Sequence, residues 1–164
     1  MVKLDKKDGI ILNILQKNCR APLTAIANEV GLSVDSVKKR INKMLDSKIF
    51  YPRIQLRPRN FGFVNIVDVK IKIQNYSEED VNRFIAYLKQ HPRVTEVFSI
   101  AGEWDISIVL IAKDAIDLGK LTSEIRHKFG KIISSWSESV TTNSHKFEEY
   151  DMIELLENNF NLKK

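Results

Sequence analysis

Apolar residues recur at helical spacing in three successive segments of the first third of the chain. The first segment ends near Lys17, the second runs from Pro22 to Gly31, and the third follows Ser33, a residue suited to an N-cap. The apolar positions of the three segments are Leu4, Ile11, Ile14, Leu15, Leu23, Ile26, Ala27, Val30, Val34, Val37, Ile41, Met44 and Leu45. The pattern predicts three helices, of which the last two form a helix-turn-helix.

Two short apolar runs follow the third helix. Ile49-Phe50-Tyr51 and Ile54-Gln55-Leu56 flank Pro52-Arg53 and predict a small basic wing of two strands. The next residues, 57–62, contain Pro58 and Gly62, which interrupt regular structure. We therefore expect a winged helix-turn-helix domain over residues 1–62, with residues 57–62 as the exit hinge.

Beyond the hinge the apolar residues alternate with polar ones, which is typical of strands. Val67 to Ile73 alternates along its whole length, and three further strands are predicted, at 94–100, 105–112 and 132–140. Two helices intervene, one capped by Ser77 and the other capped by Asp114. The order βαββαβ predicts an α+β, ferredoxin-like domain over residues 63–145 with both helices on one face of an antiparallel sheet. Residues 146–164 form a C-terminal extension whose role stays open.

The predicted third strand is apolar on nearly both faces, although the helices cover only one face of the sheet. Burial of the uncovered face by a second copy is the simplest outcome. The sequence therefore predicts a homodimer.

Composition and charge narrow the class of protein. The chain of 164 residues is 43% hydrophobic and 29% charged, as in a soluble globular protein, and it contains no apolar stretch long enough to cross a bilayer. Its start does not resemble a signal peptide, and the single cysteine, Cys19, excludes an internal disulfide, so we expect a cytoplasmic protein that binds no membrane. The net charge of +5 is uneven, with +8 on residues 1–64. The basic density between Lys38 and Arg59 suits a polyanion, although a solvated helix face is the plainer interpretation of charge alone.

Helix phase assigns roles to the polar residues of the third helix. Asp35, Ser36 and Lys39 lie where a recognition helix meets base edges, and Asp35 is equally well explained by the helix dipole. Arg40 and Lys43, with Arg53 and Arg57 of the wing, are candidates for phosphate contacts. The full set of candidate DNA-binding residues is Ser33, Asp35, Ser36, Lys38, Lys39, Arg40, Lys43, Arg53 and Arg57.

Signals for catalysis and metal binding are weak. His91, His127 and His145 are scattered and lack the spacing of metal ligands, and Ser134-Ser135 lies outside any nucleophile motif. We predict no catalytic residue, no metal and no cofactor.

The N-terminal segment resembles the DNA-binding segment of the Lrp/AsnC (leucine-responsive/asparagine-synthesis) family of bacterial and archaeal transcription regulators. The residues that match in type and spacing are Leu4-Asp5, Asp8, Ile11-Leu12, Leu15, Asn18, Arg20, Ile26-Ala27, Val30-Gly31-Leu32-Ser33, Val37 and Arg40-Ile41. The second half is similar to the family's domain for regulation of amino-acid metabolism (RAM), mostly by pattern and by the turn Gly102-Glu103-Trp104-Asp105. Two departures are Lys48, where the family has glycine, and the acidic tail from Lys146 onward.

The resemblance implies a regulator that binds double-stranded DNA as a homodimer or as a larger assembly up to an octamer. It also implies a small-molecule effector, such as an amino acid, near Gly102, Glu103, Trp104 and Asp105. Glycine permits close backbone approach there, and Asp105 suits an amino group, although Gly102 is also explained by the turn alone and Trp104 by packing.

Two alternatives to a sequence-specific regulator remain. Sirohaem decarboxylase-like enzymes resemble the family over both domains, but the basic third helix favours DNA. An architectural DNA-binding protein with little sequence preference would use the same fold. Relative affinity for specific and random DNA separates the last alternative from a regulator.

Overall fold

The computed structural model describes residues 3–161, with side chains through residue 158. The described chain divides into two compact units. The first unit contains the residues up to Gln55 together with those from Lys146 onward, and the second contains residues Leu56–His145. The two units therefore part just before the predicted hinge, and the chain passes between them twice.

Three helices of the first unit confirm the helical pattern. They are α1 (Lys6–Lys17), α2 (Leu23–Val30) and α3 (Val34–Asp46). Asp5 and Asp8 form a capping box at the start of α1, in which each carboxylate accepts the other residue's backbone N–H at 2.9 and 3.0 Å. Seven buried residues make the core of this unit: Ile11, Leu12, Ile26, Ala27, Val30, Val37 and Met44.

The predicted wing is wrong. Residues 50–57 contain no strand, and Tyr51, Ile54 and Leu56 are exposed. Pro52 has no N–H for a strand ladder, and the backbone of Arg53 instead donates to the carbonyl of Tyr51 at 2.8 Å, which closes a tight local turn. The domain is a helix-turn-helix without wing strands in this segment.

The second unit confirms the order βαββαβ. Its elements are β1 (Asn65–Ile73), α4 (Glu78–Gln90), β2 (Val94–Ser99), β3 (Ile106–Ala112), α5 (Ala115–Phe129) and β4 (Ile133–Val140), preceded by a short 3₁₀ helix, Pro58–Phe61. The strands pair antiparallel in the order β2-β3-β1-β4. This is the ferredoxin-like arrangement predicted from the alternation.

One face of the sheet packs against both helices. Alternate residues of β1 and β3, such as Val69 and Ile108, share a core with Phe84 of α4 and Ile125 of α5, and all four are completely buried. Because strand side chains alternate between faces, the intervening residues lie on the uncovered face.

The uncovered face is divided between polar and apolar residues. On β1 and β4, Asp68, Lys70 and Lys72 stand opposite Ser139, Ser137 and Ser135 in register. On β2 and β3 the face carries Phe98, Val109 and Ile111, and half of the Phe98 surface is exposed. The most exposed apolar side chain of this face is therefore Phe98, on the edge strand β2.

The extension contains a helix that the sequence analysis did not predict. This helix, α6 (Met152–Asn161), belongs to the first unit and packs against α1. Met152 lies against the core of the three N-terminal helices. The tail therefore adds a fourth helix to the helix-turn-helix unit.

Candidate nucleic-acid interface and effector turn

The turn between α2 and α3 sets the direction of α3. Gly31 adopts a left-handed conformation with φ of 67°, and the next backbone N–H, at Leu32, donates to the carbonyl of Ala27 at 3.0 Å. A Cβ on Gly31 would meet no atom within 4 Å, so glycine is needed here for its φ and not for space. Ser33 then caps α3 by accepting the N–H of Ser36 at 3.2 Å.

The outer face of α3 brings together most of the predicted DNA-binding side chains. Asp35, Lys38, Lys39 and Lys43 are exposed, whereas Val37 and Met44 on the opposite face are buried in the core. Ser36 is half-buried, and its Oγ accepts the Ser33 hydroxyl at 2.8 Å. The two serines are therefore engaged in the cap of α3, whereas the aspartate and the three lysines are exposed to solvent.

Arg40 has a partner that the sequence analysis missed. Its Nη1 donates to Asp5 and to Asp8 of α1, each at 2.8 Å, and the Asp8 side chain is only 11% exposed. Burial pushes the pKa of Asp5 upward, but the Asp8 backbone N–H and the Arg40 guanidinium outweigh it, so this pKa is lowered overall. Hydrogen bonds to Asp8 and then Asp5 raise the pKa of Arg40. Arg40 thus connects α3 to the start of α1.

The remaining predicted phosphate contacts fall in different units. Arg53 lies in the first unit, with its guanidinium 4.8 Å from the centre of the Tyr51 ring, and Arg57 lies in the second unit. Both are exposed. Arg59, part of the basic stretch in the sequence, donates to the backbone carbonyls of Thr141, Thr142 and Val64, so its charge has a structural use.

The predicted effector residues form the connection between β2 and β3. Gly102 has φ of 138°, with no atom within 4 Å of an added Cβ, and Glu103 is exposed. Asp105 is half-buried, and its Oδ2 accepts the backbone N–H of Ile73 at 2.8 Å. One carboxylate oxygen of Asp105 therefore fixes the end of β1. Trp104, beside it, is half-buried.

A groove that the sequence analysis did not identify lies between α5 and β4. Its volume is about 460 Å³, and Arg126, His127 and Trp136 are among its lining residues. His127 and Ser134 were each visible in the sequence, but only the packing of α5 beside β4 brings them to one groove. Within residues 3–161, no cluster of three or more histidine, cysteine or acidic side chains is placed to hold a metal ion.

Comparison with known proteins agrees with this geometry. Residues 4–45 match the AsnC-type helix-turn-helix domain, and residues 66–147 match the Lrp/AsnC ligand binding domain. The HTH-type transcriptional regulator LrpA of Pyrococcus horikoshii is 32% identical over 132 residues, which cover 79% of this chain and 88% of LrpA.

Solved structures share the fold. The crystal structure of an AsnC family transcriptional regulator from Agrobacterium tumefaciens superposes with a TM-score of 0.79 at 25% identity, covering 88% of this chain and 94% of that one. A transcriptional regulator from Neisseria meningitidis in complex with L-Met has a TM-score of 0.80 at 21% identity, with the same coverage.

A helix-turn-helix unit joined to a ferredoxin-like domain with a ligand-binding match defines a class of DNA-binding transcriptional regulators. Within that class, the chain belongs to the Lrp/AsnC family. No helix among the described residues has both the length and the apolar character needed to span a membrane.

Proposed function

We propose that the protein is a sequence-specific regulator that binds double-stranded DNA through α3 as a homodimer. The observation that carries the proposal is the outer face of α3, where Lys38, Lys39 and Lys43 stand exposed while Val37 and Met44 anchor the helix in the core. A basic helix presented in this way has the size and charge to enter the major groove. Lys39 and Asp35 are assigned to base edges, and Lys43 to phosphate.

Arg40 is reassigned from phosphate contact to positioning. Two bonds to carboxylates of α1 occupy its Nη1, which favours a role in fixing α3 against α1. Ser33 and Ser36 are likewise assigned to capping. Arg53 and Arg57 remain proposed phosphate contacts because both side chains are exposed.

Dimerisation is assigned to the uncovered face of the sheet. Phe98 and Val109 supply its accessible apolar part, since Ile111 is already buried, and Lys70 donates to Ser107 across it at 2.9 Å. Because a twofold interface pairs one surface with itself, apolar and polar sides can match those of a second copy. The same proposal includes assembly of dimers into an octamer.

The turn at residues 102–105 is the proposed effector site. The second half matches a ligand binding domain, and the Neisseria relative is in complex with L-Met, which supports an amino acid as the class of effector. The Asp105 oxygen that does not bind Ile73 is available to an amino group. Asp105→Asn is the sharpest variant, because the amide keeps an acceptor for Ile73 and removes the charge.

The proposed function is regulatory and not enzymatic, with no catalytic residue, cofactor or metal. The proposed location is the cytoplasm, where the protein would meet its DNA. The names of the relatives, including LrpA, support a regulator. A purified protein that binds added sirohaem with a new absorption band would instead support the decarboxylase-like alternative.

A comparison of affinities for two duplexes tests DNA recognition directly. The full chain is titrated with a duplex from its own promoter region and with a random duplex of equal length, at several salt concentrations. A regulator prefers the promoter duplex by about 10³-fold or more. Equal affinity for the two duplexes would overturn sequence-specific binding and support the architectural alternative.

A further inference from the structure

One stripe of α1 is occupied by the C-terminal segment. Lys6, Gly9, Asn13 and Gln16 are spaced three or four residues apart, so they lie on one face of the helix. Each of them contacts the segment that contains α6. The stripe is separate from the outer face of α3.

Gly9 allows the two helices to approach closely. A Cβ at this position would lie 3.1 Å from Leu156 Cδ1 and 3.4 Å from the backbone carbonyl carbon and oxygen of Met152. Gly9 is buried, and glycine inside a helix is less stable than alanine by about 0.5–1 kcal/mol. Close contact with α6 supplies a physical reason for glycine in the middle of α1.

Two side-chain amides of α1 bind the backbone at the start of α6. Gln16 pairs with Tyr150 in both directions, since its Nε2 donates to the carbonyl and its Oε1 accepts the N–H, each at 3.0 Å. Asn13 accepts the N–H of Met152 at 2.9 Å and donates to Asp151 at 3.2 Å. These bonds select the position of the segment along α1.

Asp151 links this contact to the formation of α6. Its Oδ1 also accepts the N–H groups of Ile153 and Glu154, at 3.1 and 3.2 Å, so it caps the helix while it binds Asn13. The Lys6–Glu157 pair at the other end is exposed on both sides and contributes little. Docking and helix formation are therefore coupled at Asp151.

The same α1 holds the recognition helix. Arg40 of α3 binds Asp5, the N-cap of α1, and Asp8 in its first turn, one turn or less from the stripe, and Met152 packs on the helix-turn-helix core. In the second unit, Arg59 ties its own segment to the carbonyls of Thr141 and Thr142, close to where the chain leaves for the extension.

We propose that the stripe Lys6, Gly9, Asn13 and Gln16 is a docking surface for residues 146–161 of this chain, and that full DNA affinity requires the docked segment. Docking adds packing and hydrogen bonds to a small core and so stabilises the arrangement of α1 and α3 that binds DNA. Undocking lowers the population of that arrangement, and the apparent affinity falls by the same factor. The second half of the proposal rests on the proposed DNA-binding function.

An exchange of polar groups between Asn13 and Asp151 tests the contact. Asn13→Asp sets two carboxylates against each other at the 3.2 Å contact, whereas Asn13→Asp with Asp151→Asn removes this repulsion and keeps the original net charge, but takes the charge from the α6 cap. Asn18→Asp is the matched control. It adds the same charge at the end of α1, and a carboxylate keeps the bond in which the Asn18 side chain accepts the Arg20 N–H at 3.0 Å.

Two readouts are taken on the full-length variants, the amide hydrogen exchange of residues 150–155 and the affinities for promoter and random duplexes. For Asn13→Asp we expect about tenfold faster exchange and about tenfold weaker binding to the promoter duplex than for Asn18→Asp. The double variant is expected to recover part of the loss in both readouts, because the repulsion is removed while the cap of α6 no longer carries a charge.

Three results would overturn the inference in distinguishable ways. Unchanged exchange in Asn13→Asp contradicts the docking surface. Faster exchange with the DNA affinity of the Asn18→Asp control contradicts the link to DNA. A wild-type protein without preference for the promoter duplex contradicts the proposed function, while the exchange data still decide whether the segment docks.

Gly9→Leu gives an independent test by steric exclusion. Leucine favours a helix more than glycine does, so a loss of stability at this position reports the clash with α6. Gly119→Leu in α5 is the matched control, because a Cβ there meets no atom within 4 Å. Faster exchange of α6 in Gly9→Leu alone is expected, and equal behaviour of the two variants contradicts close packing at Gly9.

Discussion

The two compact units differ in how they obtain a core. The second unit has a hydrophobic core cluster of eleven buried residues from one continuous segment, in which two helices pack on one face of a sheet. The first unit has a core cluster of seven buried residues from three short helices, and it adds α6 from the far end of the chain. Each added apolar contact matters more for the stability of a small domain, because a short chain buries a smaller share of its surface on folding. Only the second unit is therefore formed by one continuous segment, whereas the first unit needs residues from both ends of the chain.

The largest expected difference concerns fragments of the chain. Residues 56–145 alone should fold and remain dimeric at micromolar concentration, because the unit and its uncovered sheet face are complete. The measurement is circular dichroism with sedimentation equilibrium. A folded but monomeric fragment contradicts the assignment of the interface to the sheet.

Arg40→Ala should destabilise the first unit by about 1–3 kcal/mol, because it leaves the nearly buried Asp8 carboxylate without its charged partner. Thermal unfolding of the full chain measures the change. The slope of DNA affinity against salt should stay close to that of the wild type, since Arg40 is assigned to α1. A slope flatter by about 0.9 with unchanged stability would return Arg40 to phosphate binding.

Substitution of two lysines on the outer face of α3 should change DNA binding in different ways. Lys39→Ala is expected to reduce the preference for the promoter duplex by about 1–3 kcal/mol if it reads a base. Lys43→Ala should weaken binding to promoter and random duplexes alike and flatten the salt slope by about 0.9. Binding isotherms on both duplexes across salt concentrations check the pair. Equal losses for Lys39→Ala on both duplexes would make Lys39 a phosphate contact.

The smallest effect is expected from acid titration of the two helix caps. Hydrogen bonds from the Ser77 hydroxyl and backbone N–H, then Arg83, lower the pKa of Asp80 to about 2, and the Glu154 N–H and Asn13 lower that of Asp151. Both pKa values lie below the ordinary 3.8, so each cap stabilises its unit above that pH and the gain is lost as pH falls through the folded pKa.

The measurement is thermal unfolding between pH 2 and 5 for the wild type, Asp80→Asn and Asp151→Asn. The difference between the wild type and each variant should shrink as the pH falls. A difference that stays constant over this range contradicts a charged cap at that position.

The secondary structure of the second unit was predicted well because the signals for its strands and helix caps come from neighbouring residues. Alternation along β1 and caps at Ser77 and Asp114 are set by neighbouring residues, and all three were found where expected. The first three helices followed from the same kind of signal. The prediction of a wing failed because Pro52 lies between the two short apolar runs, and because the side chains of Tyr51, Ile54 and Leu56 are exposed and not held by a core.

Contacts between distant parts of the chain could not be predicted in this way. Arg40 has the same charge as its exposed neighbours on α3, and only the packing of α1 shows that Asp5 and Asp8 bind it. Docking of α6 combines the packing of Met152 with contacts at Gly9 and at two side-chain amides, and the last two carry no hydrophobic pattern. Gly9 inside α1 was a local signal, because glycine within a helix costs stability unless another element approaches it closely.

The central claim is that the outer face of α3 directs the protein to specific DNA sites. Genome-wide mapping of bound DNA tests it, with the wild type compared with a variant in which Lys38, Lys39 and Lys43 are all alanine. We predict a set of discrete sites for the wild type that disappears in the variant while the protein stays folded. Uniform coverage by the wild type, or the same sites in both proteins, would contradict the claim.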